Sequence, residues 1–289
     1  MINSQLIYYH FSRNLLNVCM NQLDSIKGVV LDMDGTFYMG GRLLPGSLKL
    51  LAYFNEQHVH FSFLTNNSTR SVADYQEKLL GMGVRKEDCR VYTSGEATIQ
   101  YLQEHYQGKR VNLMGTRSLA KSFKDAGITL DAEDPELLVL AYDNENTYAK
   151  LANFCLQVRR GLPYIATHPD INYPDPRGYL PDAGAFIELI RASTGRLPQA
   201  VIGKPSAEIL RLLAAGWHMQ TSQILMVGDR LYTDIQLAQN AGAMSALVLT
   251  GEAKMVDLES STVKPDLVCA DLGELLGLFS ETKFDREKN

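Results

Sequence analysis

Two aspartates separated by one residue, Asp32 and Asp34, end a short apolar run and are followed by a glycine. The apolar residues 29–31 predict a buried parallel strand, and Gly35 predicts the turn that ends it. Ligands of an open parallel sheet bind beyond the carboxyl ends of its strands. Two acids at that point could do nucleophilic and proton-transfer chemistry. The alternative is an ordinary turn, since Asp and Gly are both frequent in turns.

Further polar residues stand at similar positions, directly after a predicted strand or before a predicted helix: Thr65 and Asn66, Lys204, Asp229, and Asp234. With the first pair, they supply clustered acids, one lysine, and a hydroxyl beside an amide. Each segment alone has a plain alternative, because Thr-Asn-Asn-Ser is an ordinary cap-and-turn sequence and most lysines lie on the surface. The whole set suits phosphoryl transfer.

Clustered carboxylates repel one another, and a phosphate dianion would add to that repulsion unless a divalent cation neutralised it. Oxygen ligands without a nearby histidine or cysteine favour a hard ion, Mg²⁺. One aspartate can then attack phosphorus and form an aspartyl-phosphate. The other can protonate the leaving oxygen and later deprotonate water. Backbone N–H groups of residues 33–35 could add an anion cradle.

In their order along the chain, these segments resemble the four signature motifs of the haloacid dehalogenase superfamily of phosphatases. The resemblance implies that Asp32 is the nucleophile and Asp34 the general acid/base. It also implies that Mg²⁺ is held by Asp32, Asp229 and the backbone carbonyl of Asp34. Asp234 would be a water-mediated partner of the metal site.

The same resemblance implies that Thr65, Asn66 and Lys204 bind the phosphate group. Arg230 either faces the site or is a solvated loop charge. Residues 167–170 read Thr-His-Pro-Asp, where the resemblance leads us to expect Thr-Asn-x-Asp. His168 therefore either contacts the leaving group or has a structural role. Residues 181–184 form either a substrate loop or a helix cap.

The strings Gly-Lys-Pro-Ser at 203–206, Val-Gly-Asp-Arg at 227–230 and Thr-Gly-Glu at 250–252 resemble the branch of NagD-like and 4-nitrophenyl phosphatases. In that branch an inserted α/β cap selects the substrate. Alternating apolar and amphipathic stretches predict an α/β fold, with a doubly wound, Rossmann-like parallel-sheet core and an inserted cap domain. The expected boundaries are 1–25 for a peripheral N-terminal extension, 26–106 and 199–289 for the discontinuous core, and 107–198 for the cap.

Hydrophobic periodicity predicts the individual elements. Predicted strands are 29–31, 60–64, 91–92, 110–114, 137–141, 164–167, 224–227, 246–249 and 267–268. Predicted helices are 45–56, 72–82, 96–105, 119–126, 148–159, 186–193, 206–216, 234–241 and 272–279.

Composition restricts the class of protein. The net charge of −5 over 289 residues argues against a nucleic-acid binder, and 45% hydrophobic residues are typical of a soluble globular protein. No apolar run approaches the roughly 20 residues that span a membrane. Four scattered cysteines predict a reducing, cytoplasmic setting. Residues 1–25 lack the features of a signal peptide, and Met20 is an alternative start, so residues 1–19 could lie outside the native protein.

The expected function is Mg²⁺-dependent hydrolysis of a small phosphorylated metabolite, a sugar phosphate or similar, with 4-nitrophenyl phosphate as a substrate in vitro. A phosphotransferase or phosphomutase is an alternative, because an aspartyl-phosphate can pass to an alcohol instead of water. A non-catalytic ligand-binding regulator of the same fold is another, although intact Asp32 and Asp34 argue against it. We expect no nucleic-acid or membrane partner, and the resemblance makes a homodimer through the cap plausible.

Overall fold

The computed structural model describes residues 23–69, 71–175 and 178–284. Strands and helices alternate along most of the chain, which confirms the predicted α/β class. The strands are β1 (Gly28–Asp32), β2 (Tyr38–Met39), β3 (Arg42–Leu43), β4 (His60–Thr65), β5 (Val91–Thr93), β6 (Val111–Met114), β7 (Leu137–Leu140), β8 (Tyr164–Ala166), β9 (Asn172–Asp175), β10 (Gly178–Pro181), β11 (Ala200–Val201), β12 (Ile224–Gly228), β13 (Met244–Val248) and β14 (Leu267–Cys269).

The α-helices are α1 (Ser47–Glu56), α2 (Val72–Gly81), α3 (Ser94–His105), α4 (Arg117–Asp125), α5 (Tyr148–Arg159), α6 (Ala183–Thr194), α7 (Ala207–Gly216), α8 (Gln236–Ala241), α9 (Met255–Ser260) and α10 (Leu272–Phe284). Short turns of other pitch occur at Lys86–Asp88 and Thr221–Gln223, which are 3₁₀, and at Leu231–Ile235, which is a π-helix.

Each predicted strand and helix has a counterpart in the structure, with ends that shift by a few residues. Among the features that were not predicted are the hairpin of β2 and β3, the hairpin of β9 and β10, the short strand β11, and helix α9. The second hairpin contains Pro174 and ends at Pro181, and proline argues against a strand because it removes a ladder hydrogen bond. The helix predicted at 234–241 begins instead at Gln236, because residues 234 and 235 belong to the π-helix.

The chain divides into two compact units, and the first comprises the described parts of 1–64, 78–90 and 214–289. Its strands lie in the order β14, β13, β12, β1, β4, and all of these pairs are parallel. The chain runs outward from β1 to β4 and then returns to β12 on the other side of β1. This reversal is the topological switch point of a doubly wound sheet, where ligands bind.

Strand register brings the ends of the central strands to one edge. Leu31 of β1 pairs with Val227 of β12, and Asp32 pairs with Leu64 of β4. The apolar residues of β1 are fully buried, as expected of a parallel strand covered on both faces. Asp229 stands two residues beyond Val227, so Asp32 and Asp229 leave neighbouring strands at the same edge.

The second unit comprises the described parts of 65–77 and 91–213. Its own parallel sheet has the order β11, β8, β7, β6, and β9 and β10 form an antiparallel hairpin. Buried side chains of β7, β8, α5 and α6 form one hydrophobic cluster, among them Leu138, Phe154, Tyr164 and Ile190. The predicted cap boundaries stay a prediction.

Two further sequence-based expectations concern the termini and the cysteines. Most of the predicted N-terminal extension, residues 1–22, lies outside the described residues, as does Cys19. Cys89, Cys155 and Cys269 are buried free thiols. Within the described residues, every helix is too short or too polar to cross a membrane.

Candidate active site

The loop after β1 turns back immediately beyond the first aspartate. Phe37 and Tyr38 donate their backbone N–H groups to the Met33 carbonyl at 3.0 and 3.1 Å, and Gly35 donates its own to the Tyr38 carbonyl at 2.8 Å. Gly35 has a φ of 91°, a backbone conformation that favours glycine. The expected anion cradle of residues 33–35 is therefore wrong in one respect, because the Gly35 N–H already has an acceptor.

Asp229 is buried, and both of its carboxylate oxygens accept hydrogen bonds. Oδ1 accepts from the Thr36 hydroxyl at 3.3 Å, and Oδ2 accepts from the backbone N–H of Glu252 at 2.7 Å. A Cβ atom at Gly35 would lie 2.5 Å from Oδ2, and one at Gly251 would lie only 1.9 Å from it. The backbone can approach this carboxylate so closely only because both residues lack a side chain.

Asp234 is delivered by the π-helix Leu231–Ile235, which precedes α8. The side chain is completely buried, and its Oδ2 accepts from the backbone N–H of Arg230 at 3.2 Å. The Arg230 carbonyl in turn accepts from the N–H groups of Asp234 and Ile235. Single π-turns are frequent at functional sites, because the wider turn re-aims a side chain.

Three carboxylates come together at this edge of the sheet. One ligand oxygen from each of Asp32, Asp229 and Asp234 lies within 4.8 Å of the other two. Their negative charges repel one another strongly at this separation, especially where two of the groups are buried. The donor set consists only of carboxylate oxygens, which is what a hard divalent cation prefers. The residues present therefore fit a divalent metal ion.

Asp34 is solvent-exposed at its side chain but stands among buried neighbours. Partial desolvation raises its pKa above the ordinary value, Lys78 lowers it, Asp32 raises it further, and Arg230 opposes that increase. The net direction is upward, and the exposure limits its size. A carboxyl group that keeps its proton to higher pH is suited to donating it to a leaving group.

Lys78 of α2 is a cation that sequence reasoning missed. Its Nζ lies 3.9 Å from the centre of the Tyr38 ring, which is close enough for a cation–π contact. Tyr38 in turn belongs to the loop that carries Asp34. The sequence holds no motif for this lysine, which reads as one polar position on an amphipathic helix.

The charges of Asp32, Asp229 and Asp234 all act on Arg230, which favours the alternative that this side chain faces the site over a solvated loop charge. Burial disfavours its charged form, but the negative charge of Asp32 is the largest opposing influence and the pKa of Arg230 is raised. Nε of Arg230 also lies 3.0 Å from Oε2 of Glu252. A permanent positive charge therefore stands beside the first aspartate.

In the second unit, Asn66 and Lys204 are tied together by their polar groups. Oδ1 of Asn66 accepts from the Lys204 backbone N–H at 2.8 Å, and Nδ2 donates to the Lys204 carbonyl at 2.9 Å. Nδ2 also lies 3.2 Å from both carboxylate oxygens of Asp170. Both Asn66 and Lys204 are buried. The Asn66 side chain thus holds the backbone of the loop around Lys204, called the lysine loop below. Sequence reasoning missed this role. Thr65 ends β4 immediately before Asn66.

His168 is completely buried, and both ring nitrogens have partners. Nε2 lies 2.8 Å from Oδ1 of Asp182, and Nδ1 lies 2.8 Å from the Thr167 hydroxyl. The Thr167 carbonyl accepts from the backbone N–H of Gly203, the residue before Lys204, at 2.7 Å. This geometry favours the structural alternative for His168, in which the residue packs against the backbone of the lysine loop at Gly203.

The His168 imidazole is coupled to two acids. Burial lowers its pKa, but the hydrogen bond that the ring donates to Asp182, the charge of Asp182 and the charge of Asp170 together raise it above the ordinary value. Asp182 also accepts from the Ala183 N–H at 2.6 Å and is the N-cap of α6. Of the two readings of residues 181–184, the structure shows the helix cap.

Two family models match this chain, Haloacid dehalogenase-like hydrolase at residues 29–129 and HAD-hydrolase-like at residues 201–275. The acid sugar phosphatase of Staphylococcus aureus (strain MRSA252) is 34% identical over 251 residues, which cover 86% of this chain and 96% of that protein. The chain belongs to the haloacid dehalogenase-like (HAD) hydrolase family.

Solved structures support the same assignment. A 4-nitrophenylphosphatase from Thermotoga maritima is 44% identical, has a TM-score of 0.84, and is matched over 89% of this chain and 98% of its own. NagD from Escherichia coli K-12 is 27% identical, has a TM-score of 0.79, and is matched over 86% of this chain and 98% of its own. The predicted NagD-like branch is confirmed, and this HAD protein is a phosphatase.

Within this HAD phosphatase, the structure brings the predicted Asp32, Asp229 and Asp234 together in the first unit, and it joins Asn66 to Lys204 in the second. Glu252, which contacts both Asp229 and Arg230, was not predicted. One signal could have found it. It lies just beyond the carboxyl end of β13, the strand next to β12.

The close approach at Gly251 gives a first prediction. Gly251→Ala should displace the Asp229 carboxylate and weaken Mg²⁺ binding by about 10- to 100-fold, as loss of supporting contacts around metal ligands typically does. Isothermal titration with Mg²⁺ measures this directly. Gly277→Ala is the matched control, because a Cβ there, within α10, would meet nothing within 4 Å. Equal Mg²⁺ affinity in both variants would contradict the crowding argument.

The raised pKa of His168 gives a second prediction, about stability. A raised pKa means that protonated His168 stabilises the fold fully below its ordinary value of 6.5, and that this stabilisation is lost as pH rises through the folded-state pKa. Wild-type unfolding free energy should therefore fall as pH rises above 6.5, and His168→Asn should reduce this fall. Urea midpoints at several pH values measure it.

His218→Asn is the control for that experiment. His218 is exposed and has a φ of 55°, a conformation that Asn adopts more readily than most residues. This variant should keep the pH dependence of the wild type. An unchanged pH dependence in His168→Asn would show that the imidazole is not coupled to Asp182 and Asp170.

Proposed function

We propose that this phosphatase is a Mg²⁺-dependent phosphomonoester hydrolase that acts on a small phosphorylated metabolite, a sugar phosphate or similar, and also on 4-nitrophenyl phosphate. The carboxylate cluster of Asp32, Asp229 and Asp234 is the observation that carries the proposal. The names of two relatives, an acid sugar phosphatase and a 4-nitrophenylphosphatase, support the substrate class.

The metal would be held by Asp32, Asp229 and the backbone carbonyl of Asp34, with Asp234 supporting the site. When bound, Mg²⁺ supplies positive charge that offsets the repulsion between these carboxylates and a phosphate dianion. The remaining chemistry belongs to side chains of this chain.

In the first half-reaction, a carboxylate oxygen of Asp32 attacks phosphorus and forms a new O–P bond. The bond between phosphorus and the leaving-group oxygen breaks, and Asp34 gives its proton to that oxygen. The raised pKa of Asp34 favours the protonated form that this step requires. The products are the free alcohol and an aspartyl-phosphate on Asp32.

In the second half-reaction, Asp34 accepts a proton from water, and the water oxygen attacks phosphorus. The bond between Asp32 and phosphorus then breaks, which releases inorganic phosphate and restores both aspartates. Proton transfer by a well-placed side chain contributes roughly 10²- to 10⁴-fold to such a reaction. Asp34 thus acts as an acid first and as a base second.

Lys204, Thr65 and Asn66 would bind the phosphate oxygens. Lys204 provides a positive charge and Thr65 a hydroxyl donor. Since the Asn66 side chain holds the lysine loop, the donor that Asn66 contributes would be its backbone N–H. Arg230, which stands beside Asp32, would add a second positive charge.

Transfer of the phosphoryl group to an alcohol is the alternative within the same mechanism. Incubation with a phosphorylated substrate and an acceptor sugar distinguishes the two, because a hydrolase releases free phosphate and a transferase yields phosphorylated acceptor. A panel of phosphorylated metabolites ranked by kcat/KM would identify the substrate. The cytoplasmic setting and the homodimer through the cap stay predictions.

Replacement of the nucleophile tests the proposed mechanism. Asp32→Asn should lower kcat for Mg²⁺-dependent hydrolysis of 4-nitrophenyl phosphate by about 10⁴-fold or more, since an amide cannot form the intermediate. Circular dichroism and the Tm should show that the variant stays folded. Asp125→Asn, which removes one exposed carboxylate from α4, is the control and should keep full activity. Undiminished turnover by Asp32→Asn would refute the assigned mechanism.

The role of Asp34 predicts a dependence on the leaving group. Asp34→Asn should reduce kcat for an alkyl phosphate by about 10²- to 10⁴-fold, because a poor leaving group needs the proton. The loss should be smaller for 4-nitrophenyl phosphate, whose leaving group departs readily as an anion. Parallel kinetics with sugar phosphate and 4-nitrophenyl phosphate measure the difference. Equal losses for both substrates would argue against proton donation by Asp34.

A further inference from the structure

Glu252 contacts two parts of the candidate active site with different groups. Its backbone N–H donates to Oδ2 of Asp229 at 2.7 Å. Its side-chain Oε2 lies 3.0 Å from Nε of Arg230 and accepts from the Tyr232 hydroxyl at 3.2 Å. The backbone of Glu252 therefore contacts the carboxylate cluster, while its side chain contacts the neighbouring cation, Arg230.

An arginine next to a cluster of carboxylates needs such a partner. Asp32 is the acid whose negative charge most favours the charged form of Arg230 and so raises its pKa. Arginine forms strong two-point pairs with carboxylates, so an untethered Arg230 could pair with the nucleophile and compete with substrate. Glu252 opposes this as an ion-pair partner, with Oε2 at 3.0 Å from Nε, although the N–H of Nε is not aligned for a hydrogen bond to it.

The geometry around Nε also determines what the guanidinium can bind. A guanidinium has five N–H donors in a planar fork, and only one of them is on Nε. The Glu252 carboxylate lies 3.0 Å from Nε without accepting a hydrogen bond from it, so the ion pair lies at this end of the guanidinium, and the two terminal nitrogens can bind two oxygens of one phosphate group. Arg230 side-chain exposure is 29%, so this charge is partly shielded from water and its placement affects binding.

We propose that Glu252 is a positioning residue, which orients Arg230 to bind the phosphate group of the substrate. This inference rests on the proposed function, because it assumes that a phosphate group occupies the site next to Asp32. It assigns Glu252 no contact with the substrate. Tyr232 supports the same carboxylate through its hydroxyl.

A double-mutant cycle tests the proposal. Glu252→Ala, Arg230→Ala and the double variant are compared with the wild type by KM and kcat for 4-nitrophenyl phosphate and by calorimetric titration with inorganic phosphate. We expect Glu252→Ala to raise KM and the Kd for phosphate by about fivefold, in line with loss of one partly exposed charged contact, with little change in kcat. Adding Glu252→Ala to Arg230→Ala should change neither value further.

Two further variants separate positioning from general effects. Glu259→Gln removes the same charge from an exposed position of α9 and should leave KM unchanged. Glu252→Gln keeps an oxygen acceptor for Arg230 and Tyr232, so it should recover part of the lost affinity.

The outcomes are distinguishable. An unchanged KM in Glu252→Ala would overturn the proposal, and so would an equal loss in the wild-type and Arg230→Ala backgrounds, since that result indicates a general effect on the loop. A wild type that binds phosphate but hydrolyses no phosphomonoester would instead refute the proposed function. In that case, the Kd values for inorganic phosphate across the four proteins of the cycle would still show whether Glu252 acts through Arg230.

Discussion

Repulsion between carboxylates at one edge of the sheet is the constraint on which the first unit depends. Ligand oxygens of Asp32, Asp229 and Asp234 lie within 4.8 Å of one another. Such a cluster is stable only with compensating positive charge. Arg230 supplies a permanent part of that charge, and the all-oxygen donor set fits a divalent cation for the rest. The doubly wound topology produces both the repulsion and the cation site, because the neighbouring strands β1 and β12 end at the same edge of the sheet.

The lysine loop of the second unit is held mainly by hydrogen bonds to its backbone. Asn66 binds the Lys204 N–H and carbonyl, and the segment of Thr167 and His168 packs beneath the preceding glycine. Because the backbone of this loop is held on both sides, it has little conformational freedom. Binding of a phosphate group would then cost less entropy than it would for a mobile loop.

The regular elements could be predicted because a buried parallel strand is a continuous apolar run with polar residues at its end, as in β1 and β12. The hairpin of β9 and β10 could not, since its prolines mask the strand pattern. The π-helix Leu231–Ile235 also escaped prediction. A periodic pattern of apolar residues hardly distinguishes five residues of π-helix from the first turn of an α-helix, yet this turn delivers Asp234.

The chemistry of the site could be predicted from residue types and their order, whereas the contacts that hold those residues could not. Asn66 is predicted to bind phosphate, and nothing in the sequence indicates that its side chain also binds the backbone of Lys204, because that partner is 138 positions away. Glu252 shows the deeper reason. Its contact with Asp229 uses a backbone N–H that every residue except proline possesses, so the type of residue at 252 does not reveal this contact. A substitution at 252 would therefore remove the ion-pair partner of Arg230 and keep the backbone hydrogen bond to Asp229.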